Sequence, residues 1–414
     1  MSKRVCVLGA GSVGVSTALH LQLKGWNVTL VDAKPPASET SYGNAGVISS
    51  GSMVPLNNPD MLKSLPAYMS NLHPAVRYNM SYCMRHLSWL KDFFAQAKEQ
   101  PAMRNADDLN LLISAAGDAH KQLMGLAGNA SRYTETGWLK VYREERSNQE
   151  LSFEHRALAN HGAEVAMLTI AELRDLEPSL SPIFASGMWI KGDGFINNPP
   201  ALIREYADYF VSIGGQFKQQ KIRSIDPQTN GFRVQLDQQV IEADSVVIAL
   251  GPWSQEILKP LGYQLPLGAE RGYHLHFSLA EGNTLYHSVH DVDGAYVMTP
   301  MEQGLRVTCG VELNDRDAAS NYSQLDALRP KVSEAIGVNG ETEAAPWRGT
   351  RPSFPDGKPV IGPAPKHNNL WFAFGHGHIG LNTGPITGKL LAQQMTEQTT
   401  DINIDGFSAE RFDD

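Results

Sequence analysis

The chain has 414 residues, 42% of them hydrophobic and 19% charged, with a formal net charge of −9. That is enough apolar material for two domains or one large α/β body, and too much for a disordered chain. The acidic balance and scattered Lys and Arg exclude a nucleic-acid binder, and no apolar run reaches the ~20 residues of a membrane span.

From the N-terminus, Met1-Ser2-Lys3-Arg4 leads directly into "VCVLGAG", which leaves no room for a signal peptide, so a cytoplasmic protein is expected. Val5 to Leu8 is a short apolar run of the kind buried on both faces of a parallel sheet. A glycine turn follows, then a helical stretch containing Ala18, Leu19, Leu21 and Leu23 that stops at Gly25. "NVTLVD" (27–32) reads as the next strand and completes a βαβ unit.

The turn carries Gly9-Ala10-Gly11-Ser12-Val13-Gly14, a GxGxxG between strand and helix. Gly9 permits the tight turn, Gly11 lets backbone approach a pyrophosphate, and Gly14 allows close helix–strand packing. Asp32, followed by Ala33, ends the second strand at the distance expected for an acid that accepts hydrogen bonds from an adenosine ribose. Its charge argues against a ribose phosphate. The pattern predicts dinucleotide binding and does not by itself separate NAD from FAD.

"TSYGNAGVISSG" (40–51) is small and polar enough to pass close to a long ligand, with Ser41 and Asn44 offering hydrogen bonds. Cys83, Leu87, Leu90, Phe94 and Ala97 recur at helical spacing and are expected to be core. A further helix is expected over roughly 106–127. Pro199 and Pro200 open another, whose buried face carries Leu202, Tyr206 and Ile213 and which Gly214-Gly215 end. "DSVVIALG" (244–251) is a second doubly buried strand, with Gly251 where backbone can again approach a cofactor. Residues 263–312 alternate and read as antiparallel strands, and the Pro- and Gly-rich stretch 350–363 as a structured loop. Three cysteines, Cys6, Cys83 and Cys309, lie far apart without a CxxC, so neither a disulfide framework nor a zinc site is expected. "GHGHIGLNTGPITGKLLA" (375–392) places Gly375, His376, Gly377, His378 and Gly380 before an apolar helix. No carboxylate or Cys stands nearby to complete a metal site, so no metal is expected there.

The fingerprint, "SYGNAGVIS", "DGFINNP", "ALGPWS", "ERGYHL", "WRGTRPSFPDGKPVIG" and the His–Gly run occur in the order and spacing of the D-amino-acid oxidase-like flavoproteins. The chain resembles most the bacterial D-amino-acid dehydrogenases, over nearly its whole length. The resemblance implies FAD, held non-covalently because the Arg351 loop has no Cys. It implies an α/β fold: a Rossmann-like FAD domain (1–50, 192–262 and 345–414) and an α+β substrate domain with an antiparallel sheet (51–191 and 263–344). Carried over residue by residue, Gly9, Gly11, Gly14 and Asp32 would hold the ADP half, and Ile222 would meet the adenine. Ser41, Asn44, Ala45 and Gly46 would line the path to the ring, Gly251 and Trp253 would lie beside the cofactor, and residues 375–384 would meet the flavin. Arg351 would receive the substrate carboxylate, with Tyr273 as a second contact, Arg271 and His274 behind it, and His376 or His378 at the ring edge.

The expected reaction is oxidative deamination of a D-amino acid to a 2-oxo acid and ammonia, with a quinone or O2 as electron acceptor. The alternatives are oxidation of a secondary or small amine such as D-hydroxyproline, sarcosine or glycine, a flavin-binding maturation partner without turnover, or a plain NAD-dependent dehydrogenase. The Met- and aromatic-rich 53–94 stretch is the place where a peripheral membrane contact is expected if one exists.

Overall fold

A computed structural model describes residues 3–145, 152–192 and 194–413; Met1, Ser2 and the Asp193 of "DGFINNP" lie outside the described residues. Among the described residues the centre of the first layer is a six-stranded sheet. Its order is Gln216–Gln219, Asn27–Asp32, Arg4–Leu8, Ser245–Ile248, Leu370–Phe374 and Val360–Pro363, parallel except for the last. Val5 to Leu8 and Val246 to Ile248 are buried on both faces, as their unbroken apolar sequence requires.

Two helices pack tightly against this sheet and each other. Ser12–Leu23 runs alongside Gly384–Met395, and the contact depends on missing side chains: a Cβ on Gly388 would lie 2.6 Å from the Ser16 carbonyl carbon. Pro199–Ser212 covers the same layer with Leu202, Tyr206 and Phe210 buried.

The second layer is an 11-stranded, mostly antiparallel sheet built around the long strand Gly268–Leu279. The 263–312 alternation is thus expressed as the strands Gly268–Leu279, Ser288–Asp291, Tyr296–Met301, Gly304–Thr308 and Val311–Leu313. The register sorts its residues into two unlike faces, because opposed residues in an antiparallel pair share a side. Tyr273, Leu275 and Phe277, with Val289, Met298, Leu305 and Val307, form an apolar face covered by the helix Ser323–Ile336. The intervening residues His274, His276, Arg306, Thr308, Ser288 and Thr299 are buried on the other face. That second face looks toward the cofactor loops.

Three expectations are corrected. Residues 350–363 are not one loop: Trp347–Ser353 is a strand paired along its length with Gly268–Leu279 and Val360–Pro363 is another, which leaves only 354–359 as a loop between them. Pro352 fits because this strand pairs continuously on one side only, so its absent N–H breaks no ladder. The same pairing joins residues 347–353 to the second sheet, while Val360–Pro363 and Leu370–Phe374 lie in the first. The 106–127 helix is two helices, Glu99–Ile113 and Ala116–Ala127. The Cys83–Ala97 stripe is largely not core. Ala97 is buried and Cys83 and Leu90 are half-buried, but Leu87 and Phe94 are exposed. The helix breaks at His86, which rotates the inward face to Tyr82 and Trp89.

Candidate active site

A cavity of about 540 Å³ runs from the carboxyl ends of the parallel strands to the turn before Gly384–Met395. It is lined by Gly9, Ala10, Gly11, Ser12 and Val13, then by Asp32 and Ala33. Ser41, Asn44, Ile222, Gly251, Trp253, Gly375, His376 and Gly380 also face it. Residues scattered over the whole sequence therefore meet along one channel. Gly14, Ala45, Gly46, Arg351, Tyr273 and His378 do not line it.

Local physics explains the first turn. Gly9 has φ +106°, and a Cβ there would come within 2.3 Å of the Ala249 carbonyl oxygen. Gly14 sits behind the channel, where a Cβ would lie 1.8 Å from the Gly9 oxygen, so its role is close packing. No side chain caps the helix that begins at Ser12, which leaves its N-terminal dipole turned toward the cavity. Asp32 accepts hydrogen bonds from the Ala10 N–H at 2.7 Å and the Lys34 N–H at 2.9 Å. Burial pushes its pKa up, and these backbone donors oppose that shift. The Ser12 N–H donates to Ser41 Oγ at 3.0 Å, which ties the 40–46 loop to the fingerprint. Within that loop the Gly46 N–H donates to Asn44 Oδ1 at 2.8 Å, and a Cβ on Gly46 would lie 2.5 Å from the Ile196 carbonyl oxygen.

At the far end the His–Gly turn meets the helix start. Gly375 has φ +83°, and a Cβ there would strike the Phe354 ring at 2.1 Å. That glycine is therefore required by the ring packed beneath it. His376 faces the cavity, but its Nε2 lies 3.0 Å from Thr387 Oγ1, so the imidazole braces the turn against the helix. Burial lowers its pKa to about 3, and it is neutral at pH 7. His378 is solvent-accessible, and its pKa is lowered by surrounding protein and then by Arg351 and Lys140; its accessibility weakens the first cause. The carbonyl of His378 accepts from Asn44 Nδ2 at 3.4 Å.

Arg351 projects from the Trp347–Ser353 strand, directly opposite Glu270. Its Nη1 donates to the Gly310 carbonyl at 3.2 Å. A Cβ on Gly272 would lie 2.5 Å from Arg351 Nη2, so that glycine makes room for the guanidinium. Tyr273 is a correction. Alternation puts it, with Arg271, on the opposite face of the strand from Arg351. Its hydroxyl accepts from Arg271 Nη2 at 2.8 Å and from the Asn321 N–H at 3.1 Å, and donates to Glu312. That buried cluster ties down the 315–321 loop, with Arg271 also donating to the Ala319 carbonyl. His274 is on the Arg351 face but stacks on Trp347, with ring centroids 4.9 Å apart.

Sequence reasoning missed Glu270, which is 4% exposed with an Oε2 that has no hydrogen-bond partner. Burial pushes its pKa up against the pull of Arg351 and Ser353. Period-2 spacing from Gly272 was the available signal. It also missed Arg316, whose guanidinium lies 5.2 Å over the Trp253 ring at the cavity rim, and nothing in the sequence marks it. None of the three cysteines lines the cavity. Cys6 and Cys309 are buried, which raises their pKa values to about 12 and about 11.

The comparisons agree with this geometry. A family model described as FAD dependent oxidoreductase matches residues 4–394. The chain is 30% identical to a D-amino-acid oxidase of Bradyrhizobium diazoefficiens over 421 residues, covering 99% of both proteins. Among solved structures it resembles glycine oxidase from Geobacillus kaustophilus (TM-score 0.76, 20% identity, 99% of each chain). It also resembles L-proline dehydrogenase from P. horikoshii (TM-score 0.76, 16% identity, 100% of this chain and 98% of that one). An uncapped glycine turn, an acid at the end of the second strand and a channel reaching a second helix start fit an adenine dinucleotide carrying a flavin. With the family match spanning almost the whole chain, this protein belongs to the FAD dependent oxidoreductase family.

Proposed function

We propose that the protein oxidises a D-amino acid to the 2-oxo acid and ammonia, with Arg351 receiving the α-carboxylate. The observation that carries this reading is the single face shared by Arg351, Gly272 and Glu270 beside the cofactor loops. Gly272 leaves the guanidinium unobstructed, and burial pushes the Glu270 pKa up against the pull of Arg351 and Ser353, which weakens Glu270 as a competitor for the Arg351 charge that an incoming carboxylate would meet. A bidentate guanidinium–carboxylate pair then fixes the α-carbon in one pose.

FAD, when bound, supplies the hydride acceptor. The chain's part is to bind the carboxylate, hold the α-hydrogen toward the cofactor and exclude bulk water. The substrate must lose its ammonium proton first, and no side chain is assigned to that step. Water then hydrolyses the imine. The 30% identity to a D-amino-acid oxidase supports the D-series, whereas the more distant structural neighbours include a glycine oxidase and an L-proline dehydrogenase. Anaerobic mixing with D-, L- and N-methyl amino acids decides: D-substrates are expected to bleach the flavin at least ~100-fold faster than their enantiomers, from the positioning term alone. Faster bleaching by sarcosine, glycine or an L-amino acid would overturn the assignment.

A separate observation supports a peripheral membrane contact. Met69, Leu72, Met80, Met84 and Leu87 are each 60% exposed or more. Residues 59–98 carry five Lys or Arg and two Asp, in a chain whose overall charge is −9. Exposed apolar side chains among basic ones match a headgroup boundary carrying anionic lipid. No helix among the described residues is long and apolar enough to cross a membrane, so the contact would be peripheral. Co-sedimentation with phosphatidylglycerol vesicles is expected and should fall about tenfold in a Met84→Glu, Leu87→Glu variant. Absence of binding at low ionic strength would remove this reading and leave the reaction untouched.

A further inference from the structure

Beneath the cofactor loop lies a group of buried polar side chains that the reaction does not use. His274, His276 and Glu343 each bring one possible ligand atom within 4.8 Å of the others, which on spacing alone is a candidate cation site. Arg306, 1% exposed, changes that reading. Its Nε donates to His276 Nε2 at 3.0 Å. A guanidinium only donates, so Nε2 is the acceptor, and Nδ1 carries the proton and faces Glu343 Oε1 at 2.8 Å. Neither ring nitrogen of His276 is left for a metal, and a dication would lie against a buried guanidinium.

The other side of Arg306 points at the cofactor. Its Nη1 donates to the Tyr42 carbonyl at 3.1 Å and to the Asn44 carbonyl at 2.7 Å. These two residues flank Gly43, which lies flat on Trp347: a Cβ there would be 1.7 Å from the indole. Ser41 and Asn44 of the same loop line the cavity.

We propose that Arg306 is a positioning residue of the cofactor site. It clamps the 40–46 loop through two backbone carbonyls, and the His276–Glu343 pair orients it and supplies its counter-charge. The clamp makes the loop's approach to the cofactor a property of the large sheet. Because Trp347 and Arg351 share one strand, loop and carboxylate anchor are set from the same element. The proposal rests on FAD occupying the cavity.

The test is FAD titration of the flavin-free protein, followed by flavin fluorescence and by the visible circular dichroism of the bound flavin. Arg306→Met should raise the FAD Kd roughly 30-fold, as expected for two lost charge-assisted hydrogen bonds. Arg306→Lys should recover part of that, since one ammonium reaches one carbonyl. Glu343→Gln should raise the Kd about fivefold and alter the visible dichroism, because the clamp keeps its atoms but loses its counter-charge. Glu341→Gln, which removes the exposed partner of Arg329 on the neighbouring strand, should leave both readouts unchanged. If Arg306→Met does not fold, Arg306→Lys and Glu343→Gln decide. FAD binding within twofold of wild type, with an unchanged spectrum, in both of these would overturn the proposal. Failure of the wild-type protein to bind FAD would instead overturn the cofactor assignment.

Discussion

Replacing Arg351 by Ala should leave the protein folded and yellow while lowering kcat/KM for its amino acid about 1000-fold, ~4 kcal/mol. The reasoning is local. Among the described residues Arg351 makes one hydrogen bond to protein, to the Gly310 carbonyl, and it lies on the surface of Gly272 without lining the cofactor cavity. Its loss therefore removes a substrate contact and little else. Most of the effect should appear in KM if the pair forms equally in ground and transition states, and in kcat if it fixes the α-carbon for transfer. Arg351→Lys should recover only a fraction, because a point charge cannot reproduce a two-pronged contact. Stopped-flow reduction at varied substrate separates the two contributions. A variant reduced at the wild-type rate and with wild-type KM would show that the carboxylate binds elsewhere.

The second large effect is expected at Gly11. This residue has φ −75° and ψ −177°, open to any side chain, and a Cβ would meet only Ser41 Oγ, at 3.2 Å. A Gly11→Val chain should fold. Its new methyl groups would stand in the cavity where the backbone has to approach a pyrophosphate, so FAD affinity should fall by at least ~100-fold, ~3 kcal/mol. Gly9 could not serve for this test, since its positive φ and the Ala249 carbonyl would make any substitution a folding defect. The measurements are far-UV circular dichroism, melting temperature of the flavin-free protein, and flavin content after purification. Stoichiometric FAD in Gly11→Val would place the pyrophosphate outside this turn.

The two predictions differ in how their residues were found. Gly11 and Asp32 are legible in the sequence because the fingerprint is local: strand, turn, helix and acid fall within 32 residues, and each position has one geometric duty. Arg351 is legible only through a resemblance, and its surroundings are not legible at all. Tyr273 looked like a substrate contact because of its type and its neighbours in "ERGYHL". One residue of register decided otherwise, turning it and Arg271 toward Glu312 and the helix Ser323–Ile336. Glu270 and Gly272, with less conspicuous side chains, face Arg351 instead. The 83–97 stripe failed for a related reason. Helical spacing identifies a face only while the helix continues, and His86 interrupts it.

By itself the sequence determined the dinucleotide turn, the doubly buried strands, the alternating antiparallel segment and the family, all set by backbone chemistry over short spans. The tertiary structure alone decided which face of Gly268–Leu279 looks at the cofactor. It also decided that Arg306 reaches the Tyr42 and Asn44 carbonyls, more than 260 positions away in the chain. Such contacts depend on register between strands distant in sequence, and a residue's own neighbours carry no record of that pairing.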